Sequence, residues 1–299
     1  MLRKKAFRKI VITTFVLFVV LTIYMIPSKS KKDNKIYHYV DTKDISVYLL
    51  NNYDQLTKVD YKVTNSKIEN VIDSIIKKIT ISNDATIPKS FVQVIPSNVN
   101  LKNVNVVDRI AYLNFSNDFL DILDSEIEMI VEAISYSIFE LDEIDGVSIY
   151  VNNENISSIY DIPNIITRSY GINKRVEINS FNDVSKVTVF YIDNEEDNNY
   201  YVPITKYVND DREKIKIIID ELSSNYVYES NLISLLDKNI KLLDYEIKSD
   251  SITLDFNNSI FMEQNEILEE VVYSVFANYD VKEVVFKEEG KEISKKSIE

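Results

Sequence analysis

In the first half of the chain, the apolar residues recur with two different periodicities. A β-rich run at 45–50 and an alternation of apolar and polar residues at 56–63 predict two successive strands. The next apolar residues recur three or four positions apart, which predicts an amphipathic helix capped by Asn65 or Ser66. The apolar stripe of that helix consists of Ile68, Val71, Ile72, Ile75, Ile76 and Ile79. Because β-branched residues are mediocre helix formers, packing on a sheet must stabilise this helix.

A β-hairpin is predicted next, after the irregular residues 80–98. Apolar residues alternate on both sides of the pair Asp108-Arg109, between Val104 and Phe115. Two alternating runs joined by such a short polar pair indicate antiparallel strands around a tight turn. Because the alternation is one-sided, a single face of this hairpin is expected to be buried.

The second predicted helix runs from about Ser125 to Leu141. Ser125 with Glu128 three residues later forms a capping-box pattern. Alternating apolar residues at 147–151 then predict a closing strand, which is followed by a turn at 152–154. The predicted order of this half is therefore β-β-α-β-β-α-β. The buried stripe of the helix is Ile127, Ile130, Val131, Ile134, Ile138 and Leu141.

The same order of elements returns in the second half of the chain. At one constant spacing the hairpin residues of the two halves match as Leu101 with Leu242, Val106 with Ile247, Leu113 with Leu254 and Phe115 with Phe256. After a shorter loop in the second copy, Tyr136-Ser137 matches Tyr273-Ser274. Since both polar and apolar positions agree, we infer that one unit was duplicated. The second copy restarts with a β-rich run at 187–192 and a helix whose stripe is Ile215, Ile218, Ile219 and Leu222.

The predicted fold class is α+β, with two tandem β-β-α-β-β-α-β domains that each carry helices on one face of a small sheet. Domain 1 is predicted at 45–157 and domain 2 at 184–299. The connecting segment 158–183 is too hydrophobic for a free linker, so we expect it to pack against one domain. Residues 1–44 are interpreted as a cytoplasmic tail, a membrane anchor and a tether.

An uncharged apolar run extends from Ile10 to Ile26 and includes Phe15 and Val20. As a helix it would be about 25 Å long, which nearly spans the hydrocarbon core of a bilayer. Bulky residues stand where a signal-peptide cleavage site requires small ones, so an uncleaved signal anchor is favoured over a cleaved peptide. A short basic N-terminus ahead of a long body argues for the N-terminus inside. We therefore expect a single-pass protein of the cell membrane with an extracytoplasmic body.

Composition excludes several classes of function. The formal net charge is −14, and every charged residue before position 27 is basic, so the body is more acidic than the whole. Such a surface repels phosphate backbones, which disfavours nucleic-acid binding. The absence of cysteine excludes disulfides and thiolate nucleophiles. The single histidine, His38, lies in the tether, and three isolated glycines form neither a P-loop nor a dinucleotide fingerprint.

Carboxylates and tyrosines are the remaining candidates for chemistry or binding. Asp118, Asp121, Asp124 and Glu126 cluster after the first hairpin; a Ca²⁺ loop or a glycosidase pair is possible there, but a solvated loop that caps a helix is favoured. We therefore predict no catalytic, metal or cofactor site. The densest candidates for exposed aromatic contacts are Tyr200, Tyr201, Tyr226 and Tyr228. Tyr136 and Tyr273 are interpreted as structural residues.

With these motifs in hand, both halves resemble the GerM domain, a sporulation and germination module of Gram-positive bacteria. The resemblance is carried by the turn at 95–101, by the hairpin ends at 113–116 and 254–257, and by the helix motifs at 136–139 and 273–276. It covers about 45–157 and 184–293. The chain departs from the family pattern in having asparagine for turn glycines, no helix-ending Gly-Pro, and an apolar anchor in place of a lipidated cysteine.

The resemblance implies a non-enzymatic, extracytoplasmic protein that assists assembly or localisation of a sporulation or germination complex. Its expected partners are membrane-associated envelope proteins or ring and channel components, with self-association as an additional expectation. A cell-wall module that binds peptidoglycan through exposed tyrosines is the alternative. A carboxylate-dependent wall hydrolase acting through Asp121 and Asp124 ranks third, because the second copy lacks the matching acids.

Overall fold

The N-terminal helix α1 spans Leu2–Met25. The computed structural model describes residues 2–25, 42–64, 66–195, 198–224, 231–258 and 264–297. The chain forms two compact units, Met1–Val40 and Asp41–Glu299, and α1 belongs to the first. Within α1, the stretch Arg3–Tyr24 is long and apolar enough to cross a membrane, with a mean hydropathy of 2.1. A helix of this kind near the N-terminus serves as a membrane anchor or as a signal sequence.

Three of the four residues predicted to anchor the chain lie on α1. Ile10, Phe15 and Val20 are exposed, whereas Ile26 lies outside the described residues. The Thr13 hydroxyl donates to the carbonyl of Lys9, four residues earlier, at 2.7 Å. In hydrocarbon each polar group needs a partner within the protein. The Thr13 hydroxyl thus has its partner within α1, as a lipid environment requires.

The first repeat follows the predicted order of elements. A hairpin of β1 (Thr42–Leu50) and β2 (Leu56–Thr64) precedes helix α2 (Ile68–Ile79). A second hairpin, a second helix and a closing strand with a short return follow. Their bounds are β3 (Leu101–Val107), β4 (Ile110–Phe115), α3 (Asp124–Ile138), β5 (Gly146–Val151) and β6 (Glu154–Asn155).

The second repeat has the same order. Two short strands, β7 (Ile166–Thr167) and β8 (Arg175–Glu177), lie between the repeats. The second repeat then runs through β9 (Val184–Glu195), β10 (Asn198–Asn209), α4 (Lys214–Ser223), β11 (Leu232–Ile233), β12 (Leu242–Ile247), β13 (Ser251–Phe256), α5 (Asn265–Asn278), β14 (Glu283–Glu288) and β15 (Lys291–Ser297). The tandem α+β class predicted from the sequence is confirmed.

The strands of each repeat divide between two sheets. The first hairpins of both repeats join in one six-stranded sheet of order β1-β2-β10-β9-β11, in which β8 also pairs with β10. The remaining strands form a five-stranded sheet in the first repeat (β3-β4-β5-β6, with β7 on β5) and a four-stranded sheet in the second (β12-β13-β14-β15). One hydrophobic core per repeat collects apolar side chains from both sheets and both helices. The repeats are therefore joined by backbone pairing.

Tight turns close the hairpins where the sequence predicts them. Asp108 and Arg109 both have positive φ (50° and 63°) and connect β3 to β4. Asn152 and Asn153 (49° and 69°) connect β5 to β6 in the same way. Positive φ at both central residues matches the right-handed twist of the strands, and asparagine and aspartate tolerate it better than most residues.

The paired Tyr-Ser motifs of the repeats have a structural purpose. In the first repeat, the backbone N–H of Tyr48 on β1 donates to the Ser137 hydroxyl of α3 at 2.9 Å. In the second, the N–H of Phe190 on β9 donates to Ser274 of α5 at 2.9 Å. A buried N–H without an acceptor costs free energy, so each serine provides a partner that the strand needs. The same hydrogen bond between helix and strand is therefore present in both repeats.

We expect Ser137→Ala to lower the free energy of unfolding by about 1–3 kcal/mol, because it leaves the buried Tyr48 N–H without an acceptor. Ser135 provides a matched control on the same helix, since its buried hydroxyl has no hydrogen-bond partner among the described residues. Ser135→Ala should therefore be neutral or stabilising. Urea unfolding of both variants measures the difference; equal losses would contradict the role assigned to Ser137.

The predicted helix caps are wrong in detail. α2 has Lys67 at its N-cap without a side-chain cap bond, so Ser66 does not cap it, and Asn65 lies outside the described residues. α3 begins one residue before Ser125, and its N-cap Leu123 makes no side-chain cap bond. Acidic residues in the first turn of α3 supply charge that favours a helix N-terminus, in place of the predicted capping box.

The end of α3 also differs from the prediction. The helix stops at Ile138, with Phe139 as its C-cap, rather than at Leu141. The guanidinium of Arg168, from the connecting segment, donates to the carbonyl of Phe139. The Leu141 N–H donates to the carbonyl of Ile138 at 3.0 Å. The last carbonyls of the helix therefore find partners outside it, which allows the chain to turn away early.

The connecting segment contacts both repeats rather than the single domain expected. Its strand β7 pairs with β5 of the first repeat, and β8 pairs in parallel with β10 of the second. Between them, the side chain of Asn173 accepts from the Leu56 N–H and donates to the carbonyls of Leu56 and Pro203. One asparagine thus connects β2 to β10 where the repeats meet.

Candidate functional site

A groove opens where the first hairpins of the two repeats meet. β2 and β10 pair through Lys58 and Tyr201. Beyond this pair the strands separate, and a cavity of about 410 Å³ lies between them. Both repeats line it, and α5 of the second repeat contributes Glu269 and Tyr273. The side chains with the clearest chemical character are Lys58, Asp60, Tyr201, Glu269 and Tyr273. We call this cavity the junction groove.

Lys58, which lines the junction groove, contacts the Glu140 carboxylate and the Tyr273 ring. Its Nζ lies 2.8 Å from a carboxylate oxygen of Glu140, and both side chains are largely buried, at 11% and 19% exposed. The same Nζ lies 4.2 Å from the ring centroid of Tyr273. Burial opposes the charge of Lys58, but the nearby Glu140 carboxylate, together with Tyr273 and Asp60, outweighs it and raises the pKa of Lys58. Lys58 is therefore a charged lysine already paired within the protein.

Tyr201 forms part of one wall. Its hydroxyl donates to Glu269 at 2.9 Å, and its ring meets that of Tyr273 edge to face at 5.0 Å between centroids. Burial, together with the Glu269 carboxylate, raises the pKa of Tyr201. The phenol of Tyr201 therefore remains a hydrogen-bond donor to Glu269 at physiological pH.

The predicted aromatic contacts are placed differently from what the sequence indicates. Tyr200 is half-buried and contacts Phe91 of the first repeat edge to face at 4.7 Å. Tyr201 is half-buried as well. Their rings pack at the meeting of the repeats and are not freely exposed. Tyr226 and Tyr228 lie outside the described residues.

Tyr136 and Tyr273, which occupy matched positions in the two repeats, lie in different environments. Tyr136 is buried, and its hydroxyl donates to the carbonyl of Arg168 at 2.8 Å, as expected of a structural residue. Tyr273, its counterpart, is half-buried and faces the junction groove. The duplication thus placed one tyrosine in a core and its copy at a surface cavity.

A buried polar network lies close to the groove and holds the repeats together. The amide of Asn51 donates to Asp193 at 2.7 Å and to Gln55 at 3.1 Å. Asn231 donates to Gln55 at 2.9 Å. Burial raises the pKa of Asp193, while the amide donors oppose that shift. Because this network is buried and shared by both repeats, it favours one fixed arrangement of the two.

The acidic residues after the β3–β4 hairpin do not form a buried network of this kind. The Ser116 hydroxyl donates to Asp118 at 2.8 Å, whereas Asp121, Asp124 and Glu126 are exposed. In the described part of the chain, no three histidine, cysteine, aspartate or glutamate side chains are grouped to hold a metal ion. His38 lies outside that part.

A second cleft, of about 350 Å³, differs from the junction groove in how its charges are paired. Arg212 bridges Asp210 and Asp220, each at 2.7 Å. Lys206 lies 2.8 Å from Glu221 and 3.2 Å from Glu177, two further lining residues. Every carboxylate that lines this cleft therefore has a basic side chain within ion-pair distance, which leaves less negative charge to attract a cationic ligand.

The sequence reasoning missed most of the junction groove. Lys58, Asp60 and Glu269 carry no motif and come from distant parts of the chain. Tyr200 and Tyr201, which the sequence indicates as candidate aromatic contacts, do line the groove, and so does Tyr273, which the sequence analysis interprets as structural.

Comparison with known proteins identifies the fold and its family. The profile described as Germane: Sporulation and spore germination matches residues 46–157 and 188–294. The chain belongs to the Germane family. The two matched regions agree with the resemblance to tandem GerM domains inferred from the repeated motifs.

Two relatives of this Germane chain come from Bacillus subtilis. The spore germination protein GerM of strain 168 is 29% identical over 221 residues, which cover 69% of this chain and 60% of that protein. The match thus spans about three-fifths of that relative. The solved structure of the tandem GerMN domains of the sporulation protein GerM has a TM-score of 0.74 at 25% identity, covering 84% of this chain and 92% of that one. The tandem architecture is therefore shared with a sporulation protein.

Proposed function

We propose that this Germane-family chain is a non-enzymatic, membrane-anchored protein that holds or positions other proteins of the cell envelope during sporulation or germination. The similar proteins are named for sporulation and spore germination. Its partners would be membrane-associated envelope proteins or components of a ring or channel. The body would lie outside the cytoplasm, with the N-terminus inside.

The main support for this proposal is that the two repeats are rigidly connected to each other. The shared six-stranded sheet, Asn173 and the buried network around Asp193 oppose hinge motion between the repeats. Enzymes often close lids or domains around a substrate, whereas a binding scaffold gains affinity from a fixed surface. The half-burial of Tyr200 and Tyr201 also reduces the ring surface available for stacking on wall sugars.

The membrane topology is tested with engineered cysteines, because the chain has no cysteine of its own. We expect Ser158→Cys, at an exposed position, to react with a membrane-impermeant maleimide in whole cells. The matched variant Ala6→Cys should react only after the membrane is permeabilised. The opposite labelling pattern would contradict the proposed orientation.

The binding role is tested by affinity purification of the full chain from detergent-solubilised membranes of sporulating cells after crosslinking. We expect envelope proteins to copurify, and we expect at least one of them to lose its position when the gene is deleted. A chain whose residues 1–40 are replaced by a cleaved secretion signal is the control for anchoring. Recovery of no envelope protein, combined with cosedimentation with purified peptidoglycan, would favour the wall-binding alternative.

A further inference from the structure

The junction groove carries uncompensated negative charge. Asp60 is exposed and accepts the Ser46 hydroxyl at 3.0 Å. Glu269 accepts the Tyr201 hydroxyl and an amide of Asn265. These donors are neutral, and within the described residues neither carboxylate has a basic side chain within ion-pair distance. Lys58 forms its ion pair with Glu140, so the carboxylates of Asp60, Glu140 and Glu269 together outnumber this one cation.

The aromatic wall of the groove suits a cation. The ring of Tyr273 already holds the ammonium of Lys58 at 4.2 Å, and the ring of Tyr201 stands beside it. Tyrosine rings attract ammonium and guanidinium groups, more strongly when water is partly excluded. The apolar stem of a lysine or arginine side chain can pack on such rings while its charged end reaches a carboxylate.

The strands of the groove also suit an extended chain. β2 pairs with β1 along its whole length on one side. On the other side, its described pairing with β10 is confined to Lys58 and Tyr201. Beyond Lys58, the second edge of β2 therefore faces the cavity that contains Asp60. An open strand edge beside a cavity is the geometry by which proteins bind extended peptides, with backbone pairing for affinity and a side-chain pocket for specificity.

We propose that the junction groove binds an extended segment of a partner protein and receives a lysine or arginine side chain of that segment between Asp60 and Glu269. This inference rests on the proposed function, because it names the site through which a partner would be held. Anionic ligands such as phosphate headgroups are disfavoured by the same two carboxylates.

The test uses the full chain in nanodiscs of zwitterionic lipid, so that a basic probe does not bind the membrane. The probe is a fluorescein-labelled hexapeptide that alternates valine and lysine, followed by fluorescence anisotropy. We expect binding to the wild type and at least about tenfold weaker binding to the double variant Asp60→Asn with Glu269→Gln. Added salt should weaken wild-type binding, because the attraction is between charges.

The controls separate the groove from overall charge. Glu126→Gln with Glu154→Gln changes the net charge by the same amount at exposed positions elsewhere and should bind the probe like the wild type. The asparagine and glutamine side chains keep the acceptor oxygens used by Ser46 and Tyr201, and circular dichroism checks the fold. If the double variant unfolds, Asp60→Asn alone, at an exposed position, should still weaken binding about threefold.

Several results would overturn the inference. Equal affinity of the wild type and the double variant would do so, as would equal binding of a peptide that alternates valine and glutamate. Displacement of the probe by an uncharged N-acetylglucosamine oligomer would assign the groove to glycan. If crosslinking recovers the same envelope proteins with the double variant as with the wild type, the groove inference fails while the proposed function stands. Recovery of none with the wild type refutes the proposed function itself.

Discussion

Residues 41–299 are expected to lose roughly 3–5 kcal/mol of stability between about pH 5 and pH 9, because of one buried carboxyl group. Glu270 on α5 is fully buried, and one of its oxygens has no hydrogen-bond partner among the described residues. Its other oxygen accepts from the Leu235 N–H at 3.2 Å. Burial raises the pKa of Glu270 from 4.5 to about 8.

The direction of the effect follows from proton uptake. Below about pH 4.5 the carboxyl group is protonated in both the folded and the unfolded chain, so its contribution to stability is fully present. As the pH rises towards 8, the unfolded chain releases this proton while the folded chain retains it, and stability falls by at most about 1.4 kcal/mol per pH unit. Burial also raises the pKa of Glu132, to about 7, which adds to the loss.

The measurement is the thermal midpoint of unfolding across this pH range for the wild type and for Glu270→Gln. The glutamine cannot ionise, so the variant should depend less on pH and exceed the wild type in stability above about pH 8. Glu266→Gln, at an exposed position on the same helix, is the matched control and should behave like the wild type. Parallel curves for the wild type and Glu270→Gln would contradict the assignment.

Gly171→Ala is expected to destabilise the protein by about 2–4 kcal/mol and to loosen the joint between the repeats. Gly171 has φ of +91°, and an added Cβ would lie 2.8 Å from the Thr205 side chain. Thr205 is fully buried on β10, and its hydroxyl accepts from the Ile172 N–H at 2.8 Å. The alanine would therefore combine backbone strain with a clash at the point where the connecting segment meets the second repeat.

Gly290 separates these two causes. Its φ is +86°, close to that of Gly171, but nothing lies within 4 Å of an added Cβ. Gly290→Ala should therefore cost only about 1 kcal/mol, which is the backbone strain alone. Urea unfolding gives both values, and limited proteolysis reports opening within 158–183. Equal losses for the two variants would show that the contact with Thr205 contributes nothing.

Local rules account for what could be predicted from the sequence. Alternation of apolar residues and apolar stripes at helical spacing depend on neighbours a few positions apart, so the hairpins and helices of both repeats were predicted correctly. The turn at Asp108-Arg109 follows from the same short-range chemistry. The duplication was visible because matched residues such as Ser137 and Ser274 keep the same joint between helix and strand.

Contacts between distant parts of the chain account for the rest. The junction groove needs β2 beside β10, and the burial of Glu270 depends on a segment far away in the sequence. The pattern of polar and apolar residues also does not indicate that Tyr200 packs on Phe91, or that the Tyr201 hydroxyl donates a hydrogen bond to Glu269. Periodicity states which face of an element is apolar, but it does not state which other element covers that face. The elements and their repetition therefore follow from the amino-acid order, whereas the groove, its charge and the buried carboxyl groups exist only once the repeats have packed.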